Sequence, residues 1–316
     1  MSKDLATGVV ITCLAVAVCM MVPMAGLIGS AFIPVPLIFF RAKLGHSAVR
    51  TIAATAVGCA LLLGGPVEAL FFGELLLIGF VMGELMARHR SLERTAIAVC
   101  IAVILASLGG VLIASLWSGQ GLLATVSDGI RQHLELSLLL YQQMGLSREQ
   151  LDFLQNSLDT IQRVLVGIMP ALVIGSTLMV TWICMLVSRW LCLRRGLPFP
   201  DYGSLDRWKA PEPMVWGVIG SGALLLVPSV GVKLLGLNGL IVFMVIYFFQ
   251  GMAIVAYFFQ KKQIVFGIFF LLFYRFAEAQ LVKMVAPFLL DAREIGGLGL
   301  TTSEVGYAYG TIGIAA

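Results

Sequence analysis

Three glutamates within one long apolar run are the residues of this sequence best placed to do chemistry inside a membrane. Glu68 follows Pro66 in a first helical turn, where unpaired backbone N–H groups and the helix dipole stabilise a carboxylate. Glu84 precedes Arg88 by four residues, a spacing that pairs opposite charges on one helix face. Glu74 has no such local explanation, because it lies about 12 Å into the run at roughly 1.5 Å per residue.

The surroundings of Glu74 make it the main candidate for a functional residue. The residues one helical turn away are all apolar: Leu70, Phe71, Leu77 and Ile78. An unpaired charge at the centre of a bilayer costs at least about 2.5 kcal/mol, so Glu74 must be protonated, face a wet cavity or meet a partner on another helix. Two interpretations stay open: a residue on the path of a solute, or a hydrogen bond that fixes a helix contact.

The composition places the whole chain in a membrane. Of 316 residues, 59% are hydrophobic and only 12% are charged, and the mean hydropathy is +0.98. Soluble domains carry roughly 25% charged residues. The apolar runs are continuous and about 20 residues long, the length that a helix needs to cross a bilayer. We therefore predict an all-α, polytopic integral membrane helical bundle, and the first run is expected to be retained as a helix.

Apolar runs predict eight transmembrane helices and a ninth, C-terminal apolar helix. The predicted spans are 5–24, 26–40, 48–64, 66–87, 95–117, 164–190, 214–232 and 238–260, with the ninth at 264–290. Pro34 and Pro36 lie in the second span and predict that it is broken or tilted. The prolines either open the backbone near a ligand path or form a tight re-entrant bend. In the third span, Ala54/Gly58 and Ala56/Ala60 have the small-xxx-small spacing of a helix packing face.

Lysine and arginine bias predicts the orientation of these spans. Basic residues concentrate at alternate ends of the spans, and the opposite side of the first eight spans has only Arg131, Arg148, Arg163 and Lys233. The positive-inside rule then places the N-terminus in the cytoplasm of a bacterium, with the chain passing many times through the cytoplasmic membrane. This basic rim accounts for the net charge of +4, so nucleic acid is not an expected partner, whereas the lipid bilayer is.

Two long loops are predicted outside the spans. The external loop 118–163 is predicted to be an amphipathic helical hairpin, whose second arm begins with a capping box at Ser147 and Gln150. The hairpin could cover the outer mouth of a cavity, lie on the bilayer surface or pack on a second copy of the chain. The cytoplasmic loop 194–213 contains Trp208 and several prolines, which suits a segment at the membrane interface.

No motif predicts a metal, a cofactor or an enzyme activity. The six cysteines lie in or beside apolar helices without CxxC or zinc spacing, and the three histidines are scattered through predicted loops. No P-loop, dinucleotide-binding glycine pattern, HExxH or GxSxG is present in the sequence. ATP hydrolysis by this chain is therefore not expected.

Three segments carry a resemblance to a known family. The stretches 20–45, 205–217 and 247–262 resemble the YybS-like family of predicted bacterial membrane proteins, over residues 1–262. The N-terminal half is also similar to S components of energy-coupling-factor transporters. That similarity implies a small ligand at the external helix ends and a separate transport ATPase or coupling subunit. S components usually have six helices and a small-residue motif on the first, of which Cys13 and Ala17 form only an imperfect version.

The tail 263–316 resembles a different family. It is similar to a fragment of muropeptide-permease-like major facilitator transporters, and its apolar run contains Arg275, Glu278 and Lys283. Arg275 and Glu278 are three residues apart and can pair, either as an internal contact or as part of a transport site. A fragment without the opposing bundle cannot alternate access, so facilitator activity is not expected.

Two functions from different classes remain as hypotheses. A third, a membrane-embedded enzyme, would need several polar side chains at one depth, and only Glu74 lies deep in the first eight spans. The first is the binding or passage of a small solute, with Glu74 as the pathway residue. It predicts a cavity of about 300–1,000 Å³, reached from outside and lined partly by the fourth helix. The rival is a scaffold or regulator acting through the hairpin 118–163 and the loop 194–213, alone or as a homo-oligomer. It predicts a filled bundle with Glu74 hydrogen-bonded to a neighbouring helix.

Overall fold

The protein is helical in every regular segment of the computed structural model, which describes residues 2–22, 26, 28–143, 148–203, 205–261 and 264–307. The α-helices are α1 Ser2–Met21, α2 Pro34–Leu44, α3 His46–Gly64, α4 Pro66–Ala87, α5 Leu92–Ser118, α6 Leu122–Gln143, α7 Arg148–Arg194, α8 Met214–Leu224, α9 Val230–Phe259, α10 Ile264–Leu290 and α11 Thr302–Tyr307. The all-α prediction is confirmed. The chain forms two compact units, Met1–Gly251 and Met252–Ala316.

Six of the described helices are long and apolar enough to cross a membrane. They contain the segments Lys3–Met21, His46–Gly64, Pro66–Ala87, Leu92–Ser118, Leu154–Arg194 and Val230–Phe259. These match six of the eight predicted spans. The second and seventh predicted spans correspond to the shorter helices α2 and α8, and the ninth forms α10. The multi-span character is thus confirmed, whereas the count of eight spans plus a ninth is not.

Helix α4 is the centre of the first unit. Half of its span is buried (50%), against 22% or less of each of the other five spans. The side chains around it are large and apolar, with Leu37, Ile52 and Leu76 at most 1% exposed. Helix α4 packs against α2, α3 and α5, so its polar residues can meet partners on more than one neighbouring helix.

Within the second predicted span a 3₁₀ turn, Ser30–Phe32, precedes the α-helix α2, which begins at Pro34. A proline fits this first helical position because its missing N–H would be unpaired there. Gly79 of α4 allows the close approach, since a Cβ atom there would lie 2.5 Å from the Pro34 carbonyl oxygen. The Cys184 thiol donates to the Ala31 carbonyl oxygen at 3.1 Å. This bond gives a partner to a backbone carbonyl group in the 3₁₀ turn that interrupts the predicted span.

Helix α7 corrects one part of the predicted topology. The second hairpin arm and the span 164–190 are not separate elements, because both belong to the continuous helix Arg148–Arg194. Helix α6 pairs with its first part: the Gln162 amide donates to the Ser127 carbonyl oxygen at 2.9 Å and to the Ser127 hydroxyl oxygen at 2.7 Å. The capping box predicted at Ser147 lies outside the described residues.

Charged side chains join three helices at one end of this unit, here called the charged rim. Glu84 of α4 accepts from Arg41 at 2.9 Å and from Arg88 at 3.0 Å, and it lies 3.0 Å from His46 Nδ1. The pair with Arg88 is the one predicted from the i,i+4 spacing. The other two partners come from α2 and α3, so Glu84 also holds helices together.

The second unit contains α10 and α11. Arg275 and Glu278 form the predicted ion pair at 2.7 Å on α10, with side chains 75% and 47% exposed. Helix α11 begins with a capping box in which the Thr301 backbone N–H donates to Glu304 at 2.8 Å.

Candidate functional site

Glu74 lies where α4 packs against α5, and it has a protein partner. The Ser107 hydroxyl of α5 donates to Glu74 Oε1 at 2.8 Å. The sequence allows three environments for this carboxylate: protonation, a wet cavity or a partner on another helix. The structure shows the third, because Ser107 lies on α5. This is the arrangement that the scaffold hypothesis predicts for Glu74.

A cleft of about 550 Å³ opens at the ends of α1, α3 and α4 that lie opposite the charged rim. We call it the Glu68 cleft, because Glu68 of α4 is the charged residue in its wall. The rest of the wall is largely apolar or sulfur-containing: Cys19, Met20, Met21, Gly26, Ser30, Leu63, Gly64, Phe71 and Phe72. Neither Glu74 nor Pro34 nor Pro36 is a lining residue.

The turn between α3 and α4 positions Glu68 in this cleft. Gly65 has φ +97°, a backbone conformation that favours glycine, and it lets Pro66 start α4 directly after α3 ends. A Cβ atom on Gly64 would lie 2.6 Å from Glu68 Cγ and would also contact Met20 Cε. Glycine at position 64 therefore lets the Glu68 and Met20 side chains meet over the backbone.

The sequence explains Glu68 by its position in the first helical turn and does not predict that it lines a cleft. The sequence signal was present, because "GGP" before the glutamate predicts a sharp turn whose first helical residues face outward. What was missing is the position of the α1 end, which tertiary packing brings beside Gly64. No ion-pair partner of Glu68 is found among the residues that the structure describes.

A second cavity, here called the apolar groove, lies between α5, α6 and α7. Its volume is about 460 Å³, and among the described residues that line it Ser107 is the one with a hydroxyl group. That hydroxyl is already bonded to Glu74. The α6 residues Leu122, Leu123 and Val126 line this groove and do not line the Glu68 cleft, so the hairpin covers the groove rather than the cleft.

Asn238 of α9 is a deep polar residue that sequence reasoning missed. Pro170 lies inside α7, and the following residue, Ala171, donates its N–H to Asn238 Oδ1 at 3.0 Å. The Asn238 amide in turn donates to the Gly167 carbonyl oxygen at 2.7 Å. The side chain thus bridges two backbone groups that would bond each other in a regular helix. The signals that could have revealed it are Pro170 inside a predicted span and an asparagine in the run "GLNGL".

The loop 194–213 packs on the ends of the spans at the charged rim. Trp208 contacts Trp182 with ring centroids 5.6 Å apart and donates to Glu93 at 3.4 Å. The Pro198–Pro200 segment closes a smaller cavity of about 180 Å³ against α2 and α4. The loop is therefore a packed part of the rim in the first unit.

The candidate residues of the tail lie in the second unit. Arg275 and Glu278 are paired with each other, and Lys283 is exposed without an ion-pair partner among the described residues. In the part of the chain that the structure describes, no group of three or more His, Cys, Asp or Glu could hold a metal ion.

Comparison with known proteins identifies a family for most of the chain. A family model described as "Predicted membrane protein (DUF2232)" matches residues 10–286. The match continues past residue 262, and the facilitator resemblance of the tail is not confirmed, nor is the YybS-like name. No curated protein matches the chain, and no solved structure does.

Proposed function

The chain belongs to the DUF2232 family of predicted membrane proteins, and we propose that it binds a small solute in the Glu68 cleft. The observation that carries this proposal is the cleft itself. Its volume of about 550 Å³ falls within the range of roughly 300–1,000 Å³ typical of small-molecule sites. It is lined partly by α4, as the solute-binding hypothesis requires.

The distribution of basic residues supports access from outside the cell. Arg41, Arg88 and Arg94 lie at the helix ends of the charged rim, and short loops rich in lysine and arginine face the cytoplasm. The Glu68 cleft is at the opposite ends of α3 and α4, so a solute would enter it from the external side of a bacterial cytoplasmic membrane.

In this proposal Glu68 replaces Glu74 as the residue that meets the solute. Glu68 lines the cleft, whereas Glu74 holds α4 against α5 through Ser107. Because the sequence has no nucleotide-binding motif, energy for passage would come from a separate transport ATPase or coupling subunit. The charged rim and the loop 194–213 form the face that such a partner would meet.

A thermal-stability screen in detergent tests this proposal. We expect at least one small metabolite to raise the unfolding temperature of the wild-type protein and of Glu74→Gln, but not of Glu68→Gln. A ligand at 100 times its Kd stabilises the folded state by about 2.7 kcal/mol, which is readily measured. The proposal fails if stabilising compounds act equally on Glu68→Gln, or if a broad metabolite set stabilises none of the three proteins.

The scaffold hypothesis is the second candidate, and one observation favours it. The hydrogen bond between Ser107 and Glu74 gives the deep carboxylate a partner on the neighbouring helix, as a structural contact requires. In the screen above, a scaffold predicts that no metabolite changes the unfolding temperature. It also predicts that substitutions in the hairpin or in the loop 194–213 disturb complexes with other proteins.

A further inference from the structure

We propose, resting on the solute-binding function above, that the Glu68 cleft selects an organic cation, a molecule with an ammonium-type charge and an apolar body. Among the described residues that line the cleft, Glu68 is the one with a charged side chain. The sequence between Met21 and Ser30, VPMAGLIG, contains no lysine, arginine or histidine. A cation entering the cleft would therefore meet a carboxylate that has no ion-pair partner among the described residues, and an anion would be repelled.

The aromatic residues of the cleft complement this charge. Phe71 and Phe72 follow Glu68 by three and four residues, so all three lie on one face of α4. The two rings are arranged edge to face with centroids 5.2 Å apart. Phenylalanine rings attract cations through their negative faces, and Phe71, at 52% exposed, leaves part of its surface free for contact.

The volume of the cleft favours an organic molecule over a bare metal ion. A cavity of about 550 Å³ is many times the roughly 30 Å³ that one water molecule occupies in the liquid. Cys19 and Met20 supply soft sulfur atoms, which suit copper(I), but the Glu68 carboxylate is a ligand for harder cations. Leu63, Met20 and the two phenylalanines instead give an organic body an apolar surface to cover.

Cys19 provides a reporter inside the cleft of the unmodified protein. Its thiol lines the cleft and lies near Gly29, where a Cβ atom would be 3.0 Å from the sulfur. The reagents are the trimethylammonioethyl, sulfonatoethyl and hydroxyethyl methanethiosulfonates, which are cationic, anionic and neutral. The thiol sulfur forms a disulfide with the reagent's sulfenyl sulfur, and methanesulfinate leaves with the thiol proton as methanesulfinic acid. Peptide mass spectrometry of the Cys19 peptide measures each rate in the purified protein.

The ratio of the cationic to the anionic rate tests the charge selection, because the intrinsic reactivity of the thiol cancels in it. We expect this ratio to fall at least about tenfold in Glu68→Gln, since a unit charge several ångströms away changes local concentrations by that order. Glu74→Gln, which removes a carboxylate from outside the cleft, is the matched control and should keep the wild-type ratio. An unchanged ratio in Glu68→Gln would overturn the inference.

Protection of Cys19 tests binding of the solute class. Benzyltrimethylammonium should slow the reaction with the neutral reagent at least about threefold in the wild type, less in Phe71→Leu, and not in Glu68→Gln. Phe71→Leu keeps the carboxylate, so it separates loss of aromatic contact from loss of charge. Protection by benzenesulfonate instead of the organic cation would contradict the inference.

Failure of this inference differs from failure of the proposed function. If benzyl alcohol and benzenesulfonate protect Cys19 as well as the cation does, the cleft binds solutes without charge selection, and only the inference fails. If Cys19 reacts with none of the reagents until the protein is denatured, no accessible cleft exists, and both fail.

Discussion

At the scale of single residues, two glutamates of α4 have surroundings that differ from those that the sequence suggests. Glu74 is the deep carboxylate that looks functional, yet it bonds Ser107 on the next helix. Glu68 looks like an ordinary first-turn glutamate, yet it lines a cleft. The reason is that sequence spacing reports the depth and the local helix environment of a residue, whereas the neighbouring helix decides whether its side chain meets protein or open space.

The pair of Glu74 and Ser107 predicts a non-additive effect on stability. Ser107→Ala leaves the Glu74 carboxyl group without this donor, and an unsatisfied buried polar group costs about 1–3 kcal/mol. Adding Glu74→Leu removes the unsatisfied group, so the double variant should recover most of the loss. Thermal unfolding in detergent measures both. Equal stability of Ser107→Ala and wild type would show that the hydrogen bond contributes nothing.

At the scale of helices, the packing depends on helix interruptions and on close contacts between helices, which a hydropathy profile does not show. Ala56 and Ala60 of the predicted small-residue face of α3 are fully buried, but a Cβ atom on Gly58 would meet nothing within 4 Å. The closer approach is on α4, where Gly79 lies against Pro34. The spacing Gly79-x-x-x-Gly83 was readable in the sequence, yet several such spacings occur and packing selects among them.

Two glycine substitutions test this assignment with a matched control. Alanine is a better helix former than glycine by about 1 kcal/mol, so Gly58→Ala should leave stability unchanged or raise it slightly. Gly79→Ala places a Cβ atom 2.5 Å from the Pro34 carbonyl oxygen and 2.8 Å from Pro34 Cα. Because the atoms in the way belong to the backbone, relieving this overlap requires a shift of the helix. The free energy of unfolding of this variant should therefore fall by about 1–3 kcal/mol. The measurement is the unfolding temperature of each variant; a stable Gly79→Ala would mean that α2 and α4 are further apart.

The helical prediction from sequence was most accurate where the chain is apolar and uninterrupted. The spans at α1, α3, α4, α5 and α9 follow from hydropathy alone. The joining of the hairpin arm and the next span into α7 did not follow, because amphipathic and apolar patterns can succeed each other within one helix. The amide of Asn238 that bridges the backbone near Pro170 depends on a partner helix, which local sequence does not specify.

At the scale of the whole molecule, the first unit is a membrane bundle with two unlike ends. Charged side chains from α2, α3 and α4 converge on Glu84 at one end. At the other end α1, α3 and α4 surround an open cleft, and among its described lining residues Glu68 is the one carboxylate. Composition and charge predict the all-α membrane class, the approximate bounds of most transmembrane spans and the basic rim. The cleft was anticipated only as one of two alternatives, because a cavity arises from how helix ends are spaced.

The most direct test of solute binding at Glu68 is native mass spectrometry of the detergent-purified protein. It compares wild type, Glu68→Gln and Glu74→Gln. The account predicts a stoichiometric small molecule, or saturable uptake of a stabilising compound from the screen, in wild type and in Glu74→Gln but not in Glu68→Gln. Loss of the molecule from Glu74→Gln with retention in Glu68→Gln would contradict the account, as would three proteins that carry only phospholipid and take up no compound.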